Sequence, residues 1–180
     1  MKSKLGIMCI IVFLFFLTGC ENKEFSEILQ DERIGVLVHQ EEVENGVVIF
    51  YVPNIKGDIP PKASFEARFI QKNLFGWEET FDRGGTTGTL ENQLYSMYLN
   101  KYSKKSPFPM LFGEFTNPEI EKIVFENEKD KKVIEAKIVE TNGKHFWFAF
   151  IEEPKEKIKF KIKGYSAHGE LIEKIEQKSE

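Results

Sequence analysis

The feature that most constrains the fold is a series of short apolar runs with a period of two residues, separated by turn signals from Ile34 onward. Such alternation is typical of β-strands with one face buried, because successive side chains point to opposite faces. In residues 158–163, isoleucine and phenylalanine alternate strictly with lysine. The pattern predicts a mainly β protein.

Two dipeptides in this series predict tight hairpins, namely Asn45-Gly46 and Asn142-Gly143. Asn-Gly between two β-rich runs is a strong hairpin signal, because both central positions of the favoured turn require positive φ. We therefore expect antiparallel strands on either side of each dipeptide.

The segment "HFWFAFI" is apolar at every position from Phe146 to Ile151. Only a central strand covered on both faces avoids leaving such a patch in water. We expect Phe146, Phe148 and Phe150 to lie in the core on one face, with Trp147 and Ile151 on the other.

The remaining patterns divide the chain into two regions. Residues 25–106 are predicted to be a β-rich α+β region that begins with a helix at "EFSEILQ". Residues 107–176 are predicted to be a small antiparallel β-sandwich, immunoglobulin-like in outline, and residues 177–180 a C-terminal tail. One continuous domain of this length is equally consistent with the sequence. Residues 90–103 fit a helix or a strand, and their tyrosines slightly favour a strand.

The first 19 residues have the layout of a secretory signal peptide. Lys2 and Lys4 precede an apolar run from Leu5 to Leu17, and small residues follow it. The run of about 13 residues would span about 20 Å as a helix, short of the roughly 30 Å hydrocarbon core of a bilayer. We expect residues 1–19 to be removed.

Leu17-Thr18-Gly19-Cys20 resembles the lipobox of bacterial lipoproteins. The resemblance implies that the Cys20 thiol carries a diacylglyceryl group and that cleavage leaves Cys20 as the mature N-terminus. Two acyl chains would hold the chain stably at the bilayer, on the extracytoplasmic face of the cell membrane. Residues 20–24 would then be the anchor and a short tether of about 15 Å. The alternative is an uncleaved anchor with an incidental cysteine.

Charge and cysteine content narrow the classes of partner. The chain has 25 basic and 29 acidic residues, and without Lys2 and Lys4 the basic count is 23 and the net charge −6. This balance argues against nucleic-acid binding. Cys9 would leave with the signal peptide, so no disulfide and no cysteine metal site is expected.

The whole chain also resembles small uncharacterised surface lipoproteins of Bacillus-type bacteria. The similarity rests on "VVIFY", Gly76-Trp77, "RGG" at 83–85, "PMLFGEF" and "FWFAFIEE". It implies a surface lipoprotein without an assigned activity, and it supplies no functional residues.

One glycine-rich segment, "RGGTTG" at 83–88, invites comparison with phosphate-binding loops. It lacks the lysine of a P-loop, and no parallel βαβ unit surrounds it. An ordinary loop or bulge is therefore the favoured interpretation. If the segment is functional, Trp77, Arg83, Gly84 and Gly85 are the residues expected to contact a small ligand, a sugar or a partner.

Other chemistry-bearing residues are few. His39 and His145 lie in predicted strands and His168 in a predicted turn, and none has metal-ligand spacing. Glu114 has apolar neighbours and is a candidate buried carboxylate, although an outward-pointing side chain is favoured. No metal and no cofactor is predicted.

Two functions follow from this sequence. The first is a membrane-anchored, non-enzymatic binding or accessory module for another envelope protein or an extracellular ligand. The alternative is an envelope enzyme that acts on the cell wall or on a small extracellular molecule. A pocket with converging His, Glu and Arg side chains would favour the enzyme.

Overall fold

A computed structural model describes residues 24–54, 66–85, 97–99, 106–141, 143–152 and 159–178. Within these ranges the chain forms one short helix and twelve strands. They are α1 (Phe25–Leu29), β1 (Ile34–Val43), β2 (Gly46–Pro53), β3 (Glu66–Asn73), β4 (Gly76–Gly85), β5 (Met97–Leu99), β6 (Met110–Phe115), β7 (Lys122–Asn127), β8 (Val133–Glu135), β9 (Lys137–Thr141), β10 (Lys144–Phe150), β11 (Lys159–Tyr165) and β12 (Leu171–Lys178).

The strands form three antiparallel sheets of four strands each. The N-terminal sheet has the order β1-β2-β3-β4, the middle sheet β5-β6-β10-β9 and the outer sheet β12-β11-β7-β8. The predicted mainly β class is therefore confirmed, and so is the helix near the start of the chain. The immunoglobulin-like outline and the boundary between two regions stay predictions, and β5 joins the middle sheet from before that boundary.

The first predicted hairpin is present, with its turn one residue earlier than the dipeptide suggested. Val43 pairs with Gly46, so Glu44 and Asn45 form the turn. Gly46 has φ 156°, and an added Cβ would lie 2.1 Å from the carbonyl oxygen of Ile70. Glycine is required here because the neighbouring strand passes so close.

The second predicted hairpin, between β9 and β10, is also present. Thr141 pairs with Lys144, which leaves a two-residue connection at positions 142 and 143. Gly143 has φ 72°, as the predicted turn type requires. Asn142 itself lies outside the described residues.

The middle sheet is covered on both faces, and β10 is one of its two inner strands, as predicted. Phe146 and Phe148 pack against the N-terminal sheet, where the ring centroids of Phe148 and Phe50 are 4.8 Å apart. Trp147 and Ile151 pack against the outer sheet. Both faces of the strand are thus removed from water, and this burial is the main contribution of the strand to stability.

The chain passes from the outer to the middle sheet within a single residue, Ala136, which separates β8 from β9. Ala136 is buried, and its N–H donates to the carbonyl oxygen of Ile123 at 2.9 Å. The small side chain allows the sharp change of sheet without a gap between the two layers.

The free face of the N-terminal sheet is covered by α1. Ile28 is buried against Ile49 and Ile70, and the Phe25 ring contacts Trp77 with centroids 4.8 Å apart. A capping box between Glu24 and Glu27 begins the helix. The order of layers is therefore α1, N-terminal sheet, middle sheet and outer sheet.

Candidate functional site

A small pocket, here called the Glu114 pocket, lies between the N-terminal and middle sheets. Its volume is about 30 Å³, enough for one or two water-sized groups. The lining residues come from β1, β2, β6, β9 and β10, and the atoms that they turn toward the pocket are mostly apolar. They are Val38, Val52, Glu114, Thr141, Lys144, His145 and Phe146.

Glu114 is buried, contrary to the favoured expectation of an outward-pointing side chain. The residue is only 8% exposed because β6 is an inner strand of a sheet that is covered on both faces. It pairs with Phe146 across the ladder. Within the described part of the chain, no hydrogen bond or ion pair reaches its carboxylate. Its oxygens are not among the fully buried atoms without a partner, so they keep some contact with solvent. A nearly buried carboxylate of this kind favours binding of a group that carries hydrogen-bond donors or positive charge.

His145 also lines this pocket, but its ring lies on the other face of the middle sheet from Glu114, because His145 pairs with Phe115 and Glu114 pairs with Phe146. Its ring stacks on Phe115 with centroids 5.1 Å apart, and its Nε2 lies 3.8 Å from Glu140 Oε2. As predicted, it lies on a strand, because β10 begins one residue before it. The His145 imidazole and the Glu114 carboxylate therefore face different layers and do not converge in the pocket.

His39 also lies on a strand, and its contacts contribute to the packing between the N-terminal and middle sheets. The ring lies 5.8 Å from that of Phe148, and Nε2 lies 3.0 Å from Glu41 Oε2. Lys137 Nζ donates to the same Glu41 oxygen at 2.6 Å, which joins β1 to β9. Burial opposes ionisation of Glu41, but the bonds from Lys137 and His39 hold its pKa below the usual value. His168 lies in the turn between β11 and β12, as predicted.

A second cluster, here called the Arg68 network, lies under α1. Arg68 is 1% exposed, although it alternates along β3 with the apolar residues Ala67 and Phe69. Its Nη2 donates to the Tyr51 hydroxyl at 3.0 Å, and that hydroxyl donates to Glu66 Oε2 at 2.7 Å. Its Nη1 donates to Asp31 Oδ2 at 3.1 Å and to Glu79 Oε2 at 3.3 Å.

The Arg68 network joins the segment after α1 to the sheet. Arg33 also binds Asp31, with its Nε 2.9 Å from each carboxylate oxygen, and its Nη2 lies 3.3 Å from Glu79 Oε2. Hydrogen bonds from Arg33, with help from Arg68, hold the pKa of Asp31 far below its usual value against the effect of burial. The Arg68 Nε is buried and has no hydrogen-bond partner among the described residues.

Tyr51 is the neutral member of the Arg68 network. Burial and the bond to Glu66 raise the pKa of its hydroxyl to about 12. The Arg68 guanidinium also lies 5.2 Å from the centre of the Tyr51 ring. Tyr51 therefore stays protonated at neutral pH and passes a hydrogen bond from the buried guanidinium to a carboxylate.

The residues predicted to contact a ligand lie along β4. Trp77 is half-buried near the start of the strand, between Phe25 and the Lys72 ammonium, which is 5.4 Å from its ring centre. Residues 83–85 end the same strand, opposite Arg68 to Glu66, so this part of the glycine-rich segment is strand rather than loop. Residues 86–88 and Cys20 lie outside the described residues.

Neither cluster was evident from the sequence. Arg68 lies at a polar position of an alternating strand, which is typical of a side chain in solvent. Only the apolar face of α1 indicates that another layer covers this side of the sheet. The Glu114 pocket is lined by residues up to 108 positions apart in the sequence. No local sequence pattern predicts that such distant residues are in contact.

Within the described ranges, no three His, Cys, Asp or Glu side chains are grouped so as to hold a metal ion. The one helix described is too short to cross a bilayer. Comparison with protein-family models, curated proteins and solved structures finds no match to this chain.

Proposed function

We propose that this protein is a lipid-anchored, non-enzymatic binding or accessory module on the outer face of the cytoplasmic membrane of a Gram-positive bacterium. The anchor is a diacylglyceryl group on Cys20, in the lipobox-like Leu17-Thr18-Gly19-Cys20. Folded structure begins soon after it, since α1 starts at Phe25. So short a tether keeps the body close to the bilayer.

The observation that supports the binding role is the small apolar pocket whose lining includes the nearly buried Glu114. The matching ligand is a primary ammonium group, presented by a small extracellular molecule or by another envelope protein. The ammonium would donate to Glu114, and the apolar walls from Val38 and Val52 would contact its methylene groups. The small volume means that only the terminal part of such a ligand enters.

The anchor is tested with the Cys20→Ala variant. The wild-type chain should fractionate with membranes and carry the mass of the diacylglyceryl group on its N-terminal residue. The variant should be released or should keep residues 1–19. Identical mass and fractionation of the two proteins would contradict the anchor.

The binding role is tested by titrating the protein with methylammonium chloride, using sodium chloride at equal ionic strength as the blank. Backbone NMR signals of Val52 and Phe146 should shift in the wild type and not in Glu114→Gln. The matched control is Glu140→Gln, which changes an exposed carboxylate near His145 and should preserve the shift. Because Glu114 has no partner to lose, Glu114→Gln should not lower the free energy of unfolding. Equal shifts in all three proteins would contradict the proposed site.

A further inference from the structure

The turn between β3 and β4 carries two large apolar side chains in full contact with water. Leu74 is 98% exposed and Phe75 is 65% exposed. Tight hairpin turns usually carry Gly, Asn or Asp, because these residues suit the backbone. Here the geometry is supplied by the flanking residues: the Asn73 Oδ1 accepts the N–H of Phe75 at 2.8 Å, and Gly76 has φ 132°. Leu74 and Phe75 are therefore not needed to form the turn.

The N-terminal segment enters the fold at this same end of the sheet. Phe25 packs on Trp77, which is only two residues, about 7 Å, beyond Phe75 along β4. Six residues later, Asp31 contacts Arg68, which pairs farther along the sheet from the turn. Between Phe25 and Asp31 the chain thus runs away from the turn, so Phe25 is at the end of this segment that is nearer to the turn.

We propose that the β3–β4 turn, through Leu74 and Phe75, lies in the interface of the bilayer beside the lipid anchor. The inference rests on the proposed acylation of Cys20, because the four residues between Cys20 and Phe25 reach only about 17 Å over the whole step. Phe25 is then held within that distance of the lipid headgroups, and the turn lies about 7 Å beyond its contact with Trp77. Two exposed apolar side chains at this position gain by entering the acyl boundary.

The neighbouring side chains suit an interfacial position. Trp77 is half-buried behind the turn, and the Lys72 ammonium lies over its ring. Trp and Lys are common at the level of the headgroups, where an apolar body and a polar end are both accommodated.

The local charge indicates which lipids matter. The first turn, with exposed Glu44, lies beside this one, since the Lys72 N–H donates to the Asn45 carbonyl oxygen at 2.8 Å. Glu78 is also exposed near the start of β4. Attraction to anionic headgroups is therefore not the source of this contact, and insertion should be similar on neutral and on anionic vesicles.

The test uses the full processed protein bound to vesicles, with one fluorophore attached to a new cysteine. The acylated Cys20 cannot react, so Leu74→Cys supplies a single labelling site. His168→Cys, in the exposed turn between β11 and β12, is the matched control. The vesicles are phosphatidylcholine, with or without phosphatidylglycerol, and carry a nitroxide on the acyl chain.

Lipid nitroxide should quench the label at position 74 several-fold more than the label at 168, and iodide in the water should do the opposite. Equal quenching at both positions, on vesicles that carry the protein, would overturn the inference and leave the anchor intact. A chain that lacks the diacylglyceryl mass and does not float with the vesicles would overturn the anchor and the inference together. A label at 74 that is protected from iodide but not quenched by lipid would show contact with protein instead, and would also overturn it.

Discussion

Arg68 is the buried side chain whose loss should cost the N-terminal sheet most. Arg68→Met removes a guanidinium that donates hydrogen bonds to Tyr51, Asp31 and Glu79. These three side chains then lose their buried cationic partner. Removing one partner of a buried ionic cluster typically costs about 3–5 kcal/mol. Arg33→Met is the matched control, because the Arg33 side chain is 56% exposed and should cost no more than about 1 kcal/mol. Urea denaturation measures both, and equal midpoints would contradict a structural role for Arg68.

The Arg68 network also predicts how stability depends on pH. The pKa of Asp31 is lowered in the folded protein, so its contribution is present above the unfolded value of about 3.9 and is lost as the pH falls below it. The pKa of Tyr51 is raised to about 12, so its contribution is present below about pH 10 and is lost as the pH rises toward 12.

The loss of stability in acid is tested by the denaturation midpoints of wild type and Asp31→Asn, measured from about pH 7 down to about pH 2. The variant should be less stable at neutral pH and should lose less stability in acid. Glu44→Gln, in an exposed turn, should follow the wild type. Parallel curves for Asp31→Asn and wild type would show that Asp31 does not control the loss of stability in acid.

At the scale of single elements, β10 carries the packing of two interfaces. Phe148→Ala should cost about 3–5 kcal/mol, because the ring is 2% exposed and faces Phe50 across the two sheets. Phe150→Ala, on the same face but half-buried, should cost clearly less. Chemical denaturation checks the pair. If neither change moved the midpoint, β10 would not be a core strand.

The elements differ in how far the sequence could predict them. β10 was predictable with both faces buried, because an unbroken apolar run has no face suited to water. For β3, alternation predicts a strand but does not show whether its polar face is solvated, and here α1 covers Arg68. Glu114 was misassigned for a related reason, because its burial depends on two other sheets that enclose β6. Local pattern determines the strand, whereas the packing of distant layers determines the environment of each polar residue.

At the scale of the whole molecule, the shared middle sheet predicts one cooperative unit. Its two faces are the only cover for the inner faces of both other sheets within the described structure, so loss of one interface exposes part of the other. The test uses Trp77→Phe, in which fluorescence reports Trp147 between the middle and outer sheets. Adding Arg68→Met, in the N-terminal sheet, should shift the Trp147 transition and the far-UV circular dichroism transition equally. A Trp147 midpoint that stays in place would indicate two separate folding units.

The Glu114 pocket and the Leu74–Phe75 turn occupy opposite ends of the N-terminal sheet. Val52, in the pocket wall, pairs with Val36 about 20 Å along β2 from the turns. With the turn at the bilayer, as proposed, the pocket would face away from it. A ligand carried by another envelope protein or by the medium could then reach Glu114 without crossing the headgroup layer.

The position of α1 has a mechanical consequence. Any tension on the N-terminal chain enters the body through this five-residue helix before it reaches β1. The contacts that would bear the load first are Phe25 on Trp77 and Asp31 on Arg68, which lie one after the other along the direction of pull. These contacts share a shearing load, whereas the β1–β2 ladder would open one pair at a time if it were pulled directly from Ile34. The Arg68 network would thus protect β1 from a force applied to the N-terminal chain. A protein without this network should unfold at a lower force.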